Sequence, residues 1–223
     1  MKSKKSFIAI LVIFMFSASA QTSWKVDRSH SQMTFFIKYM MVNDFEGRFK
    51  VYDGKITSVT ENDFNNASVS FMVDTRTIET GDEGRDTELK KKDFFDSDKY
   101  TRAEFTSTSF KPGKIKGTYD LDGDLKIKGY TKKVKMTAIG APKIVADPYS
   151  GKMLYAFNIT GKFKRSDFGV GGYDLIDGTA GLVLGEDITL NCNLMLVKSD
   201  KLIATVGKNK IKVDAKKLES YVG

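Results

Sequence analysis

One histidine and one cysteine limit the chemistry open to this chain. A Ser-His-Asp or Cys-His arrangement could use only His30 as its base, and a metal site needing several soft ligands cannot be assembled. Cys192 falls on the apolar side of an alternating stretch, where a free thiol is an inert core residue. His30, between Ser29 and Ser31 at the start of a strand pattern, suits a structural hydrogen bond, with head-group contact as the alternative. Asp120, Asp122 and Asp124 imitate a calcium loop, but Gly123 comes too early and Thr131 stands at the twelfth position, where Glu is required. Gly169-Val170-Gly171-Gly172 could cradle a phosphate through its N–H groups. No Lys-Ser or Lys-Thr follows it and no helix pattern begins there, so a turn is the simpler reading.

Four charged residues stand beside aromatics that should be buried: Arg85 and Asp86 ahead of Phe94 and Phe95, Arg165 and Asp167 beside Phe168. The planar guanidinium suits bidentate pairing with a carboxylate, so two ion pairs fastening a helix and a loop are expected. A polar lining for a ligand head group is the alternative. No residue is assigned a catalytic role, and no cofactor or metal is expected.

The elements that must position these residues are strands. Period-two alternation recurs after residue 30. Ile188, Leu190, Cys192, Leu194 and Leu196 share one face, and Asp187, Thr189, Asn191 and Asn193 the other. Leu125 and Ile127 alternate with lysines, as do Val134 and Met136, with a hairpin at Gly129-Tyr130-Thr131. Further strands are expected at Met33 to Met41, Phe45 to Val51, Ala67 to Val73, Ala103 to Phe110, Lys114 to Leu121 and Leu154 to Phe163. Asp53-Gly54 and Asp122-Gly123 are predicted as turns, because such pairs tolerate positive φ. One short helix is predicted over about residues 85–92, acidic early and basic late as the helix dipole prefers. Strands apolar on one face only close most economically into an up-and-down barrel. Alternation alone does not say whether side chains or a ligand fill it.

Met1 to Ala20 has the plan of a secretory signal: Lys2, Lys4 and Lys5, an apolar run from Phe7 to Phe16, then small residues. The run is too short to span a bilayer. A periplasmic or secreted product is expected, with cleavage near Ala20. A lone cysteine excludes an intramolecular disulfide, so folding rests on a core. The net charge is +8, but three of those charges are signal lysines, and the tail from Lys198 carries seven Lys against Asp200, Asp214 and Glu219. The body between is nearly neutral and lacks a basic face, which argues against nucleic acid.

Motifs spread along the chain carry a resemblance. His30-Ser31 is followed by Phe35, Ile37, Gly47, Phe49 and Gly54. Then come Ile78-Glu79-Thr80-Gly81, Arg85-Asp86, Leu89, Asp93-Phe94-Phe95-Asp96, Tyr100 and Phe105-Thr106-Ser107-Thr108. Gly123 to Gly129 with Thr131 and Val134, and Arg165-Ser166-Asp167-Phe168-Gly169, complete the order. With these, the region from about Trp24 to Lys198 resembles the YceI-like family of exported polyisoprenoid-binding proteins. Tyr39 stands where many relatives carry His, and Thr101 where Pro is usual.

The resemblance implies an all-β, extended, eight-stranded antiparallel lipocalin-like barrel that binds, carries or stores a long isoprenoid lipid, polyprenyl or quinone, without catalysis. An enzyme acting on a lipid head group, or fatty-acyl binding in the same pocket, is the alternative. Residues 1–20 would be the signal, 21–198 the barrel domain and 199–223 a lysine-rich extension. Expected pocket residues are Phe35, Ile37, Tyr39, Val69, Phe71, Phe94, Phe95, Phe105, Ile127, Val134, Met136, Phe157, Ile159, Phe163, Phe168, Leu190 and Leu194. Polar positions for the head group or the scaffold are His30, Arg85, Asp86, Arg165 and Asp167. The lysines of the extension suit transient contact with an anionic membrane surface. The oligomeric state stays open, a dimer included.

Overall fold

The computed structural model describes residues 20–172, 183–199, 201–206 and 209–214, with residue 20 and the last two stretches as backbone. Of the expected signal only Ala20 is described, and it opens the first strand.

The first six strands are three long strands, each interrupted once. β1 (Ala20–Val26) leads through a 3-10 turn at Arg28–His30 into β2 (Gln32–Tyr39). β3 (Asn43–Phe49) is followed at once by β4 (Tyr52–Ser58), and β5 (Ser68–Asp74) passes through Thr75–Thr77 into β6 (Ile78–Glu79). Helix α1 (Glu83–Lys90) precedes β7 (Arg102–Pro112), β8 (Thr118–Ile127), β9 (Tyr130–Gly140), β10 (Val145–Ala146), β11 (Met153–Lys164) and β12 (Leu184–Lys198). β13 (Lys201–Val206) and β14 (Asn209–Asp214) form a hairpin whose first strand pairs with β1.

Antiparallel pairing runs β1-β4-β5-β7-β8-β9-β11-β12, and β12 returns to β1 with Val26 opposite Leu196. This is a closed eight-stranded barrel, and closure removes the edges that an open sheet would leave. β12 pairs β1 through its last residues and β2 through Leu184 to Asn193, so β2, β3 and β6 lengthen the wall at one end.

Several local expectations need correction. Asp53-Gly54 and Asp122-Gly123 lie inside β4 and β8, not at turns. Their glycines make room for rings: a Cβ at Gly54 would stand 2.1 Å from Phe71 Cε1, and one at Gly123 2.4 Å from Phe105 Cε2. Gly47 in β3 does the same for Phe35, whose Cζ would be 2.3 Å from an added Cβ. The turn preceding β8 lies at residues 113–117, where Gly113 N–H bonds Thr118 O. The helix begins earlier than expected because the Asp82 carboxylate accepts from Arg85 N and caps it. β1 and β4 escaped the alternation because their buried positions include Ser23, Gly54 and Ser58 beside Trp24 and Ile56.

One end of the interior is solid. Phe64 stacks on Tyr155 at 4.7 Å and Phe110 on Tyr119 at 4.7 Å, while Phe157 meets all four edge-on at 5.1–5.8 Å. Trp24 joins this cluster and donates Nε1–H to Ser58 Oγ at 3.1 Å. Edge-to-face pairs of this kind add about 0.5–1.5 kcal/mol each beyond their buried area. Burial raises the Tyr119 and Tyr155 phenols above their usual range, so the plug stays uncharged.

Candidate functional site

Beyond the plug the barrel is hollow. An inner chamber of about 100 Å³ is walled by Met33, Phe35, Phe71, Phe105, Leu121, Leu125, Ile127, Met136, Ile159, Cys192 and Leu194, among others. An outer chamber of about 480 Å³ continues toward β2, β3 and α1, bounded by Ile37, Tyr39, Phe45, Leu89, Phe94, Phe95, Phe168, Val170, Leu184 and Ile188. Phe35, Phe49, Ala103, Ile127, Phe163 and Leu190 belong to both walls and mark a waist. The outer chamber falls in the range of about 300–1,000 Å³ usual for small-molecule sites.

The wall follows from the strand period. Met33, Phe35, Ile37 and Tyr39 point one way along β2, and Phe45, Gly47 and Phe49 do so along β3. Phe35 lies directly across from Gly47, and Phe71 lies between Gly54 and Phe105. Because these glycines carry no side chain, the rings lie flat against the neighbouring strand and leave the axis open. Phe49 meets Phe35 at 5.8 Å and Phe95 edge-on at 5.7 Å, joining the wall to the segment after α1.

Fourteen of the seventeen expected pocket residues line one chamber or both. The other three, Val69, Val134 and Phe157, are buried outside the lining, and Phe157 is the centre of the plug. The residues that sequence reasoning missed include Phe45, Phe49, Leu89, Leu121 and Ile188. Phe45 and Phe49 share the face of Gly47, and Leu121 shares that of Leu125 and Ile127, so the alternation held the signal. Leu89 had none, because α1 carries few apolar residues and none of its side chains is buried.

Among the described residues, Arg85 does not form the expected pair with Asp86, nor Arg165 with Asp167. Arg85 donates from Nε and Nη2 to Thr80 Oγ1 and O, both at 2.7 Å, and lies over the Phe45 ring at 4.6 Å. Asp86 accepts from Thr80 N at 2.8 Å and Thr80 Oγ1 at 2.6 Å, so the two residues meet through a shared threonine. Arg165, 3% exposed, donates to the carbonyls of Gly185, Val170 and Gly172 at 2.8 Å and of Leu184 at 2.9 Å. Asp167 faces a separate surface hollow with Lys132 and Lys164. Four of the acceptors around Arg165 are thus backbone carbonyls, two from the loop after Phe168 and two from the start of β12.

The glycine loop serves the same clamp. Val170 and Gly172 offer carbonyls to Arg165, Gly171 N–H bonds Asp93 O at 2.8 Å, and Lys128 Nζ bonds Gly169 O at 2.6 Å. His30 lies outside both chambers, exposed, with Nδ1 2.8 Å from Asp27 Oδ2. Its hydrogen bond is the main cause that holds the Asp27 carboxyl below its usual range. The Cys192 thiol is pushed up to about 12 by burial, so it remains protonated at the inner wall. Asp122 and Asp124 stand opposite Lys135 and Lys133 of β9, two cross-strand pairs of opposite charge, and Asp120 stands opposite Thr137.

A model of the YceI-like domain matches residues 24–196. The chain belongs to the YceI-like domain family. Its relatives include the YceI protein of Shigella flexneri, 33% identical over 175 residues that cover 75% of this chain and 87% of that protein. The crystal structure of Burkholderia cenocepacia BcnA shares the fold with a TM-score of 0.65 at 24% identity, covering 76% of this chain and 98% of that one. A polyisoprenoid binding domain from Saccharophagus degradans, implicated in plant cell wall breakdown, shares it with a TM-score of 0.53 at 15% identity, covering 79% and 98%. Both the plug and the chambers lie within the stretch matched by the YceI-like model.

Proposed function

We propose that this protein sequesters a long isoprenoid chain in the two chambers and performs no chemical step on it. The observation that carries this reading is the continuous apolar lining from the rim of the outer chamber through the waist to Cys192 and Leu194. The Saccharophagus domain, a polyisoprenoid binding domain of the same fold, supports a prenyl ligand. With one end plugged, the chain enters tail first and its head group stays near Arg85, Thr80 and Glu88 at the rim. His30 lies apart from the lining, so an enzyme acting through it has no substrate within reach.

Energetics suit a carrier. Each CH₂ withdrawn from water contributes roughly 0.8 kcal/mol, so a chain of about 40 carbons would gain a gross 30 kcal/mol or so. Non-covalent binding saturates near −18 to −21 kcal/mol, and ordering a flexible chain offsets much of the gain. The chain's ordinary surroundings are also apolar, which keeps the preference for the barrel small and release feasible. The basic start and apolar run of residues 1–20 support action in the periplasm or outside the cell.

Native mass spectrometry of protein incubated with solanesol, delivered from cyclodextrin, tests the reading. One prenyl chain per barrel is the expected result. Exclusive uptake of palmitate, or no uptake of either lipid, would overturn it.

A further inference from the structure

The turn between β2 and β3 is an apolar tip at the rim of the outer chamber. Tyr39, Met40, Met41 and Val42 are 41%, 38%, 58% and 84% exposed, an unbroken run of large apolar side chains facing water. Tyr39 and Phe45, at the two feet of this turn, both line the chamber and meet edge-on at 5.3 Å. Apolar surface is therefore continuous from the solvent-facing tip into the cavity.

Met40 and Met41 hold left-handed backbone, with φ of 52° and 62°. Non-glycine residues adopt it at a cost, and two in succession are uncommon. Two of the turn's N–H groups are nevertheless partnered: Met40 N–H donates to Val183 O, just ahead of β12, at 2.8 Å and Val42 N–H to Tyr39 O at 3.1 Å. Behind the tip, Lys38 and Asp44 neutralise each other at 2.9 Å. Exposed apolar side chains, N–H groups partnered at Met40 and Val42, and a paired charge set one step back lower the cost of entering an apolar medium.

We infer that the tip of residues 39–42 inserts into the surface of a lipid bilayer and seats the cavity rim on the membrane. A protein partner fits poorly, since a stable interface buries about 800 Å² on each side and draws on roughly 20 residues. Met40, Met41 and Val42 suit the region just below the head groups, where apolar side chains of peripheral proteins rest. The inference rests on the lipid-carrying reading for its purpose, because docking there would spare a prenyl chain passage through water.

Flotation with vesicles of phosphatidylethanolamine and phosphatidylglycerol tests the tip without reference to the cavity. The full chain should float with the vesicles. The M41D/V42D variant should lose at least about tenfold of that partition, since two apolar groups are replaced by charges. M41L/V42L should float as the wild type does, which separates loss of insertion from loss of fold. Equal flotation of wild type and M41D/V42D, or wild type that stays with the aqueous phase, would overturn the inference. So would a dimer of the wild type that M41D/V42D dissolves, because the tip would then be covered by a second copy. Solanesol uptake from cyclodextrin should be unchanged in M41D/V42D. If neither protein takes it up, the lipid-carrying reading fails while flotation still decides the tip.

Discussion

Ala103 sits at the waist, 8% exposed and opposite Val73, and its methyl group belongs to both chamber walls. Ala103→Phe should close the passage between them. The ring enters existing space: at about 24 cal/mol per Å³, an empty inner chamber of about 100 Å³ leaves about 2.4 kcal/mol unrealised. Filling half of it would stabilise the free protein by about 1 kcal/mol, or about 2–4 °C in Tm for a domain of this size. The same ring bars a prenyl tail from the inner chamber. Excluding one five-carbon isoprene unit removes up to about 4 kcal/mol of gross burial, a ceiling near a thousandfold in Kd. Titration calorimetry with farnesol and solanesol, both delivered from cyclodextrin, separates the effects. Farnesol fits within the outer chamber and should bind as before, while solanesol should weaken at least about tenfold. Unchanged solanesol affinity, or equal loss for both alcohols, would refute the idea of a tail threaded through the waist.

Gly123→Ala should destabilise by about 1–3 kcal/mol in urea unfolding, since its Cβ would stand 2.6 Å from the Thr106 carbonyl oxygen as well as against the Phe105 ring. A neutral result would mean that this strand pair shifts freely. Arg165→Met should cost at least about 3 kcal/mol, because the carbonyls of Val170, Leu184, Gly172 and Gly185 lose a donor together. A urea midpoint within error of wild type would show that water replaces the guanidinium at no loss. The Cys192 thiol, pushed from 9.0 up to about 12 by burial, contributes stability that is complete below pH 9 and fades as pH rises toward 12. Labelling by a thiol reagent at pH 8 should therefore keep step with unfolding, and rapid labelling of folded protein would contradict the burial.

Much of the fold was legible because alternation names a face. A strand with apolar residues at every second position must turn them inward, and strands of that kind must close on one another to bury them. Phe35 and Ile37, or Leu190, Cys192 and Leu194, needed nothing further to be placed inside. The glycines at 54 and 123 misled because Asp-Gly is a turn signal locally. Their purpose lies in a ring on the adjacent strand, as Gly54 shows with Phe71.

The sequence by itself determined the β class, the inward face of most barrel strands, a short helix ahead of β7 and the poverty of catalytic groups. Only the tertiary structure decided where along the axis the barrel is solid and where it is hollow. Phe157 and Phe163 lie on one strand and point the same way, yet one fills the plug and the other lines both chambers. Period two specifies a direction across the wall, whereas depth depends on how distant strands register and what their side chains sum to at each level. The carbonyl partners of Arg165 were hidden for a related reason. Backbone carbonyls are present at every residue, so nothing in the amino-acid order marks which of them folding will gather around one guanidinium.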